Sequence, residues 1–191
     1  MQNYISAILK TLAVAFIIFG TVYLVERFSP AAIFCNDRLY QQEISAAALR
    51  HGIDPDLVRA LIWRESRFDR NCRGGRGECG LMQILPSGAA ASWAKAAKHH
   101  TVAESDLYNV TVNLEIGCWY LARGLKEYRD YKNGVQLALA GYNAGPAKAA
   151  EWKPATTDGE VVITYPDTAK YVADIMQRYR YYQENKRQNG Q

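Results

Sequence analysis

The chain has 191 residues, 49% of them hydrophobic and 22% charged, with a net charge of +4. That length suits one domain with an ample apolar core, and no internal repeat or long low-complexity tract points to a solenoid or a disordered chain. The mild positive charge fits attraction to an anionic surface and does not argue for nucleic acid as a partner.

Residues 1–29 read as a targeting segment. Thr11 to Val25 is a run in which only threonine and glycine interrupt apolar residues, with Lys10 before it and Glu26-Arg27 after it. Counted from Tyr4, the segment reaches the roughly 20 residues that span a bilayer. The apolar core also suits a cleavable signal, but the nearest candidate site, Ser29-Pro30-Ala31, carries a proline. Ala32-Ile33-Phe34-Cys35 lacks the small residue a lipoprotein site needs before its cysteine. An uncleaved anchor is therefore the favoured reading, and either alternative exports the remaining domain, residues 30–191.

Within that domain the pattern is helical. Asp37 to Arg50 forms a first helix, with Leu39, Ile44, Ala47, Ala48 and Leu49 turned inward and His51-Gly52 as its stop. A second helix runs from Pro55 to about Arg67: Asp54 caps it, Pro55 takes the first position and Ile53 can staple onto Val58. Its apolar stripe, Leu57, Val58, Leu61 and Ile62, continues through Glu65 and Phe68. A carboxyl on the core side of a helix is disfavoured in its charged form, and a raised pKa is what a general acid needs near neutrality. The same spacing also fits a glutamate paired with Arg64, Arg67 or a backbone donor.

Beyond a loop rich in glycine and arginine, Arg70 to Cys79, come Gly80-Leu81-Met82-Gln83-Ile84 and an alanine-rich helix over Ser87 to Lys98. Asn109 to Tyr131 is the longest helical pattern, its apolar face formed by Val112, Ile116, Trp119, Tyr120 and Leu125. A short helix from Gly134 to Ala140 leads into the turn Tyr142-Asn143-Ala144-Gly145-Pro146, and Glu160 to Tyr165 is strand-like. Tyr165-Pro166-Asp167-Thr168 opens the last helix, with 183–191 as a polar, frayed tail.

Three of these stretches, in order, carry a resemblance: Glu65-Ser66, then Gly80-Leu81-Met82-Gln83-Ile84, then Ala140-Gly141-Tyr142-Asn143-Ala144-Gly145-Pro146. Together they resemble the signature of the lytic transglycosylases, the soluble-lytic-transglycosylase-like domain. Asn113-Leu114-Glu115-Ile116-Gly117 with Tyr120-Leu121 is similar to a further family helix. The resemblance spans about Asp37 to Tyr179 and implies a mainly α, lysozyme-like fold behind the amino-terminal segment. It implies an enzyme that cleaves the bond between N-acetylmuramic acid and N-acetylglucosamine in peptidoglycan without water, leaving 1,6-anhydro ends, and that uses no cofactor or metal. Glu65 would be acid and then base. Ser66, Gly80, Met82, Gln83, Tyr142, Asn143 and Asp167 would bind substrate, although Asp167-Thr168 stands where the family often has glutamate-threonine. Asp69 and Glu78, the other nearby carboxylates, read as loop charges paired with arginine, so one effective carboxylate is expected.

Four cysteines in an exported domain read as two disulfides with three connectivities: Cys72 and Cys79 flank the glycine-arginine loop and would clamp it, Cys35 and Cys118 would then pair, and free buried thiols are the alternative. A zinc site with His99 and His100 lacks ligand spacing. A bacterial cell-envelope location follows, at the periplasmic face of the inner membrane if anchored. A hydrolytic muramidase on the same fold, and a non-catalytic wall-binding component of a secretion or pilus machine, remain as alternatives.

Overall fold

The computed structural model describes residues 36–98 and 101–188. The expected anchor or signal at 1–29, Cys35 and the His99-His100 pair lie outside the described residues. In order the elements are α1 (Gln41–Arg50), α2 (Pro55–Glu65), a π turn (Pro86–Ala90) running into α3 (Ala91–Ala97), a 3-10 turn (Glu104–Tyr108), α4 (Val110–Glu127), α5 (Gly134–Ala144), α6 (Pro146–Glu151) and α7 (Pro166–Gln188). Among the described residues there is no β-strand, only isolated antiparallel bridges at Arg73 with Cys79 and Cys79 with Ile84. The strand-like run at Glu160 to Tyr165 is unpaired extended chain, held by the Trp152 indole N–H, which donates to Thr164 Oγ1 at 2.9 Å. No helix among the described residues is long and apolar enough to cross a membrane.

α1 begins at Gln41, four residues later than expected, and its buried stripe is Ile44, Ala47 and Ala48. Leu39 and Leu49 are 41% and 71% exposed rather than inward. Leu39 precedes the helix, and Leu49 lies about 100° around it from Ala48, off the i, i+3, i+4 face.

α2 starts as its sequence requires, with the Asp54 carboxylate accepting the Asp56 N–H at 2.9 Å and Pro55 at the first position. Ile53, Leu57, Val58, Leu61 and Ile62 are all buried. The helix stops at Glu65 and not Arg67, because Arg67 (φ 54°) and Phe68 (φ 65°) are left-handed. That reversal tucks Phe68 into the core and leaves Glu65 as the last helical residue.

α7 runs antiparallel along α2 and ties down both of its ends. Tyr179 and Gln183 donate to Asp54 Oδ2 at 2.8 and 3.0 Å, while Tyr171 reaches Glu65. The polar tail expected from residue 183 is instead helical to Gln188, since Gln183 is anchored on Asp54 and Tyr182 is buried beneath the Arg59 guanidinium.

α4, capped by Asn109, forms the central helix. Gly124 lets α5 approach closely; a Cβ there would lie 3.2 Å from that of Ala138. Of the broad apolar face expected on α4, Ile116 is buried but Val112, Trp119, Tyr120 and Leu125 are half-buried. α5 continues past Ala140 to Ala144, so Tyr142 and Asn143 sit on its last turn, and Gly145 (φ 91°) then breaks the chain before Pro146 opens α6.

Candidate active site

Glu65 is placed by three constraints: the end of α2, the left-handed pair behind it, and α7 alongside. The Tyr171 hydroxyl donates to Glu65 Oε1 at 2.5 Å. Burial raises the carboxyl from an ordinary 4.5 to about 7, against the lowering effect of the Tyr171 hydrogen bond and the Arg64 charge. The group is thus poised to hold and release a proton near neutrality.

Next to it, the Gly80 motif is fixed from below by one buried side chain. Asn113 on α4 accepts the Met82 N–H with Oδ1 at 2.8 Å, and its Nδ2 donates to Cys79 O at 2.8 Å and Leu107 O at 2.7 Å. Gly80 (φ 75°) must be glycine here, because a Cβ would collide with the Asn113 amide and the Leu107 carbonyl. Met82 is fully buried, its sulfur packed over the bare Cα of Gly117, so its side chain forms no wall facing the site. Its carbonyl is what the site uses, accepting the Tyr142 hydroxyl at 2.8 Å. Burial, with Glu65 second, raises the Tyr142 phenol well above its usual range and keeps it protonated. Tyr120 packs edge-on to Tyr142, ring centroids 5.5 Å apart.

Gln83 adopts a left-handed conformation (φ 48°), and its Nε2 donates to Cys72 O at 3.1 Å and Gly80 O at 2.9 Å. It braces the preceding loop. Ser66 is buried and donates back to Ile62 O at 3.4 Å, so it serves the helix end. Asn143 accepts the Thr168 hydroxyl at 2.8 Å and joins the end of α5 to the start of α7, while Asp167 is exposed on the first turn of α7.

The expected bridge between Cys72 and Cys79 is not formed. Both are free thiols, as is Cys118. Cys79 is buried between its two backbone bridges, with Sγ turned onto the Gly77 carbonyl at 3.3 Å, so hydrogen bonds rather than a covalent link close the loop. Cys118 is buried in α4, where burial raises its thiol to about 12. Its proposed partner, Cys35, is outside the described residues. Among those residues no group of three or more His, Cys, Asp or Glu gathers as a metal site would.

Two residues that organise the site were not among the sequence candidates. Tyr171 reads in the sequence as one apolar stripe member of the last helix, although a buried phenol needs a polar partner and Glu65 needs a donor. Asn113 was visible only as part of a family-like helix.

The Transglycosylase SLT domain family matches residues 42–161. The chain belongs to that family. Among curated members and relatives it is 30% identical over 105 residues to the membrane-bound lytic murein transglycosylase F of Desulfosudis oleivorans, covering 53% of this chain and 21% of that protein. It is 34% identical over 99 residues to the X polypeptide of Escherichia coli, covering 49% and 53% respectively. The chain thus spans from about a fifth to half the length of these SLT relatives. A quarter of the lytic transglycosylase Slt from Pseudomonas aeruginosa, solved as an inactive variant, shares the lysozyme-like fold: TM-score 0.67 at 24% identity, over 85% of this chain and 25% of that one. The 70-kDa soluble lytic transglycosylase of Escherichia coli gives 0.65 at 22% identity, over 76% and 25%.

Proposed function

We propose that this SLT domain is a lytic transglycosylase that cuts peptidoglycan glycan strands between N-acetylmuramic acid and N-acetylglucosamine, with Glu65 as acid and then base. The observation that carries the reading is the half-buried Glu65, whose carboxyl is raised to about 7 by desolvation and held by the Tyr171 hydroxyl. In the first half-reaction the protonated Glu65 donates to the bridging oxygen as the glycosidic bond breaks and that oxygen keeps the electron pair. Positive charge develops at the anomeric carbon, where the 2-acetamido group of the same sugar can stabilise it. In the second, the Glu65 carboxylate takes the proton of the C6 hydroxyl while its oxygen closes onto the anomeric carbon. Burial favours the neutral acid needed first, and the Tyr171 hydrogen bond supports the anion needed second.

Around this centre we assign Tyr142 as a rigid aromatic wall that also fixes the Met82 carbonyl, and Gln83, Asn143 and Asp167 as groups at the substrate's edge. The apolar run from Thr11 to Val25 supports a membrane anchor at 1–29 followed by an exported domain, 30–191. Relatives that bear the name membrane-bound lytic murein transglycosylase fit that arrangement and a site of action at the periplasmic face of the inner membrane. A small SLT domain of this kind suits local opening of the wall for an envelope-spanning machine.

The test is to incubate the full chain and its Glu65→Gln variant with purified peptidoglycan and identify the released sugars by mass spectrometry. Anhydromuramic ends from the wild type alone support the assignment. Reducing ends would make the protein a muramidase, and no release from folded protein would leave it a wall-binding component.

A further inference from the structure

Between α6 and α7 the chain runs as a strand with nothing to pair with. Residues 160–165 are neither bent nor turned. Their middle, Val161-Val162-Ile163-Thr164, is β-branched throughout, the composition that favours a pleated strand. Exposure alternates as it does in a strand with one covered face: Val161 and Ile163 are half-buried, whereas Glu160, Val162 and Thr164 are exposed, Val162 at 63%. The Gly159 N–H donates to Thr156 O, and the Tyr165 carbonyl accepts the Ala169 N–H. Between those two groups no backbone N–H or carbonyl forms a hydrogen bond among the described residues. The segment is nevertheless held at both ends. The Thr157 carbonyl accepts the Lys132 N–H at 2.7 Å, while the Trp152 indole donates to Thr164 Oγ1 and meets Tyr165 edge-on, ring centroids 5.3 Å apart. Exposed edges in folded proteins ordinarily carry a lysine, a proline or a bulge that blocks pairing, and no lysine or proline stands within residues 160–165.

We propose that residues 160–165 are a docking edge to which a basic, extended segment of a partner protein adds as a second strand. Main-chain hydrogen bonds from the partner satisfy the open N–H and carbonyl groups, and its side chains cover Val162. The partner's charge follows from the flanks. Asp158, Glu160 and Asp167 border the edge, all exposed and none in an ion pair among the described residues, in a chain whose net charge is +4. Lys148 on α6 does not neutralise them, being engaged by Glu151 at 2.9 Å. The same charges argue against a second copy of this chain as the occupant. Antiparallel self-pairing of the whole segment sets Glu160 opposite Tyr165 and brings Asp158 of one copy toward Asp167 of the other, where like charges repel. Because both ends are already fixed, the strand escapes much of the ordering cost that a mobile loop incurs on binding. The inference goes beyond the glycan-cutting reading and does not depend on it, since neither Glu65 nor Tyr142 takes part.

The experiment uses the full chain and, as probe, a fluorescein-labelled peptide of alternating valine and threonine with two lysines at each end. Anisotropy measures its affinity, and amide hydrogen exchange read residue by residue locates it. In the free chain the amides of residues 160–164 should exchange rapidly, because none is hydrogen-bonded. The peptide should slow alternate amides among them, since one edge of a strand presents every second residue, and it should bind more weakly as salt rises. Methylating the peptide's backbone nitrogens should weaken binding on the order of tenfold or more, the worth of one or two hydrogen bonds. Glu160→Lys should weaken the lysine-ended peptide by about two- to tenfold and favour a glutamate-ended counterpart, with release of anhydromuramic ends unchanged. A wild-type chain that does not bind the lysine-ended peptide, a methylated peptide that binds as well, or protection confined to residues outside 160–164 overturns the proposal. So does a free chain that is already dimeric with these amides slow, which makes a second copy the occupant. A wild-type chain that releases no anhydromuramic ends yet binds the peptide would overturn the transglycosylase reading and uphold this one.

Discussion

The Tyr171 hydroxyl lies 2.5 Å from Glu65 Oε1, and this bond joins the second turn of α7 to the final residue of α2. Two opposing effects meet in it. Burial penalises the Glu65 anion, and the phenol stabilises it. Their balance, about 7, suits the acid-then-base role proposed for Glu65.

Tyr171→Phe removes the stabilising half of that balance while keeping the ring. The Glu65 carboxyl should rise further, moving the alkaline limb of kcat/KM upward by about one to two pH units, since a hydrogen bond to a charged group is worth about 1.5–3 kcal/mol. kcat should fall as the second half-reaction loses its supported anion. A pH-rate profile of the variant checks both, and a limb that stays in place would deny Tyr171 its part.

Glu65 should also leave a mark on stability. Its folded value of about 7 exceeds the ordinary 4.5, so the folded state binds the proton more tightly than the unfolded state between those values. The stability that the neutral acid contributes is complete below about pH 4.5 and is lost as pH rises through 7. Glu65→Gln stays neutral throughout and can still accept from Tyr171. Relative to wild type it should gain up to about 3 kcal/mol between pH 4.5 and 8. Denaturant unfolding at the two pH values measures the difference.

Asn113 is the buried bracket under the Gly80 motif, and its three bonds serve backbone groups of Met82, Cys79 and Leu107. Asn113→Ala strands all three, each worth about 1–3 kcal/mol when buried without a partner. A loss of at least about 3 kcal/mol in unfolding free energy is expected, with activity falling because the Met82 carbonyl no longer fixes Tyr142. Asn113→Asp keeps the acceptor but not the donors and should fall between the two.

The helices of this domain were legible where capping and periodicity coincide. Asp54-Pro55 fixed the start of α2, and Leu57, Val58, Leu61 and Ile62 fixed its buried face. Its end was not legible, because nothing local in Arg67 or Phe68 announces a left-handed pair; the burial of Phe68 against other elements imposes it. Glu65 stood out as a carboxyl interrupting an apolar stripe. Tyr171 did not, since a tyrosine in such a stripe looks the same whether its hydroxyl meets water or a carboxyl. The burial of the Met82 side chain was not legible for a related reason: spacing places a residue near a site without saying which of its atoms faces it. The cysteines likewise lie close in sequence around a loop that backbone hydrogen bonds already close.

The free thiols give a direct check. Alkylation of the folded chain without reductant, followed by mass analysis, should find Cys72 labelled slowly, since it is half-buried and burial with the Asp69 and Glu65 charges raises its thiol. Cys79 and Cys118 should be labelled only after unfolding. Recovery of a Cys72–Cys79 disulfide peptide would contradict this.

Asp54 does two jobs with one carboxylate: Oδ1 caps α2 and Oδ2 receives Tyr179 and Gln183 from α7. Asp54→Ala should therefore cost more than the roughly 1 kcal/mol of a simple cap, about 2–4 kcal/mol once the two stranded donors are counted. The Tyr179 phenol, pushed up to about 12 by burial and then by Asp54, should titrate at lower pH in the variant, because the neighbouring negative charge and the acceptor are both gone. Asp54→Asn separates the two effects. It keeps the cap through Oδ1 but turns an Nδ2 donor toward α7, which the Tyr179 hydroxyl can turn to accept and Gln183 Nε2 cannot, and it removes the charge, so the Tyr179 titration should move while the cap's share of the stability is retained. An ultraviolet titration of tyrosine alongside thermal unfolding reads both, and an Ala variant no less stable than Asn would mean that the Asp54 contacts add nothing to the hold of α7 on α2.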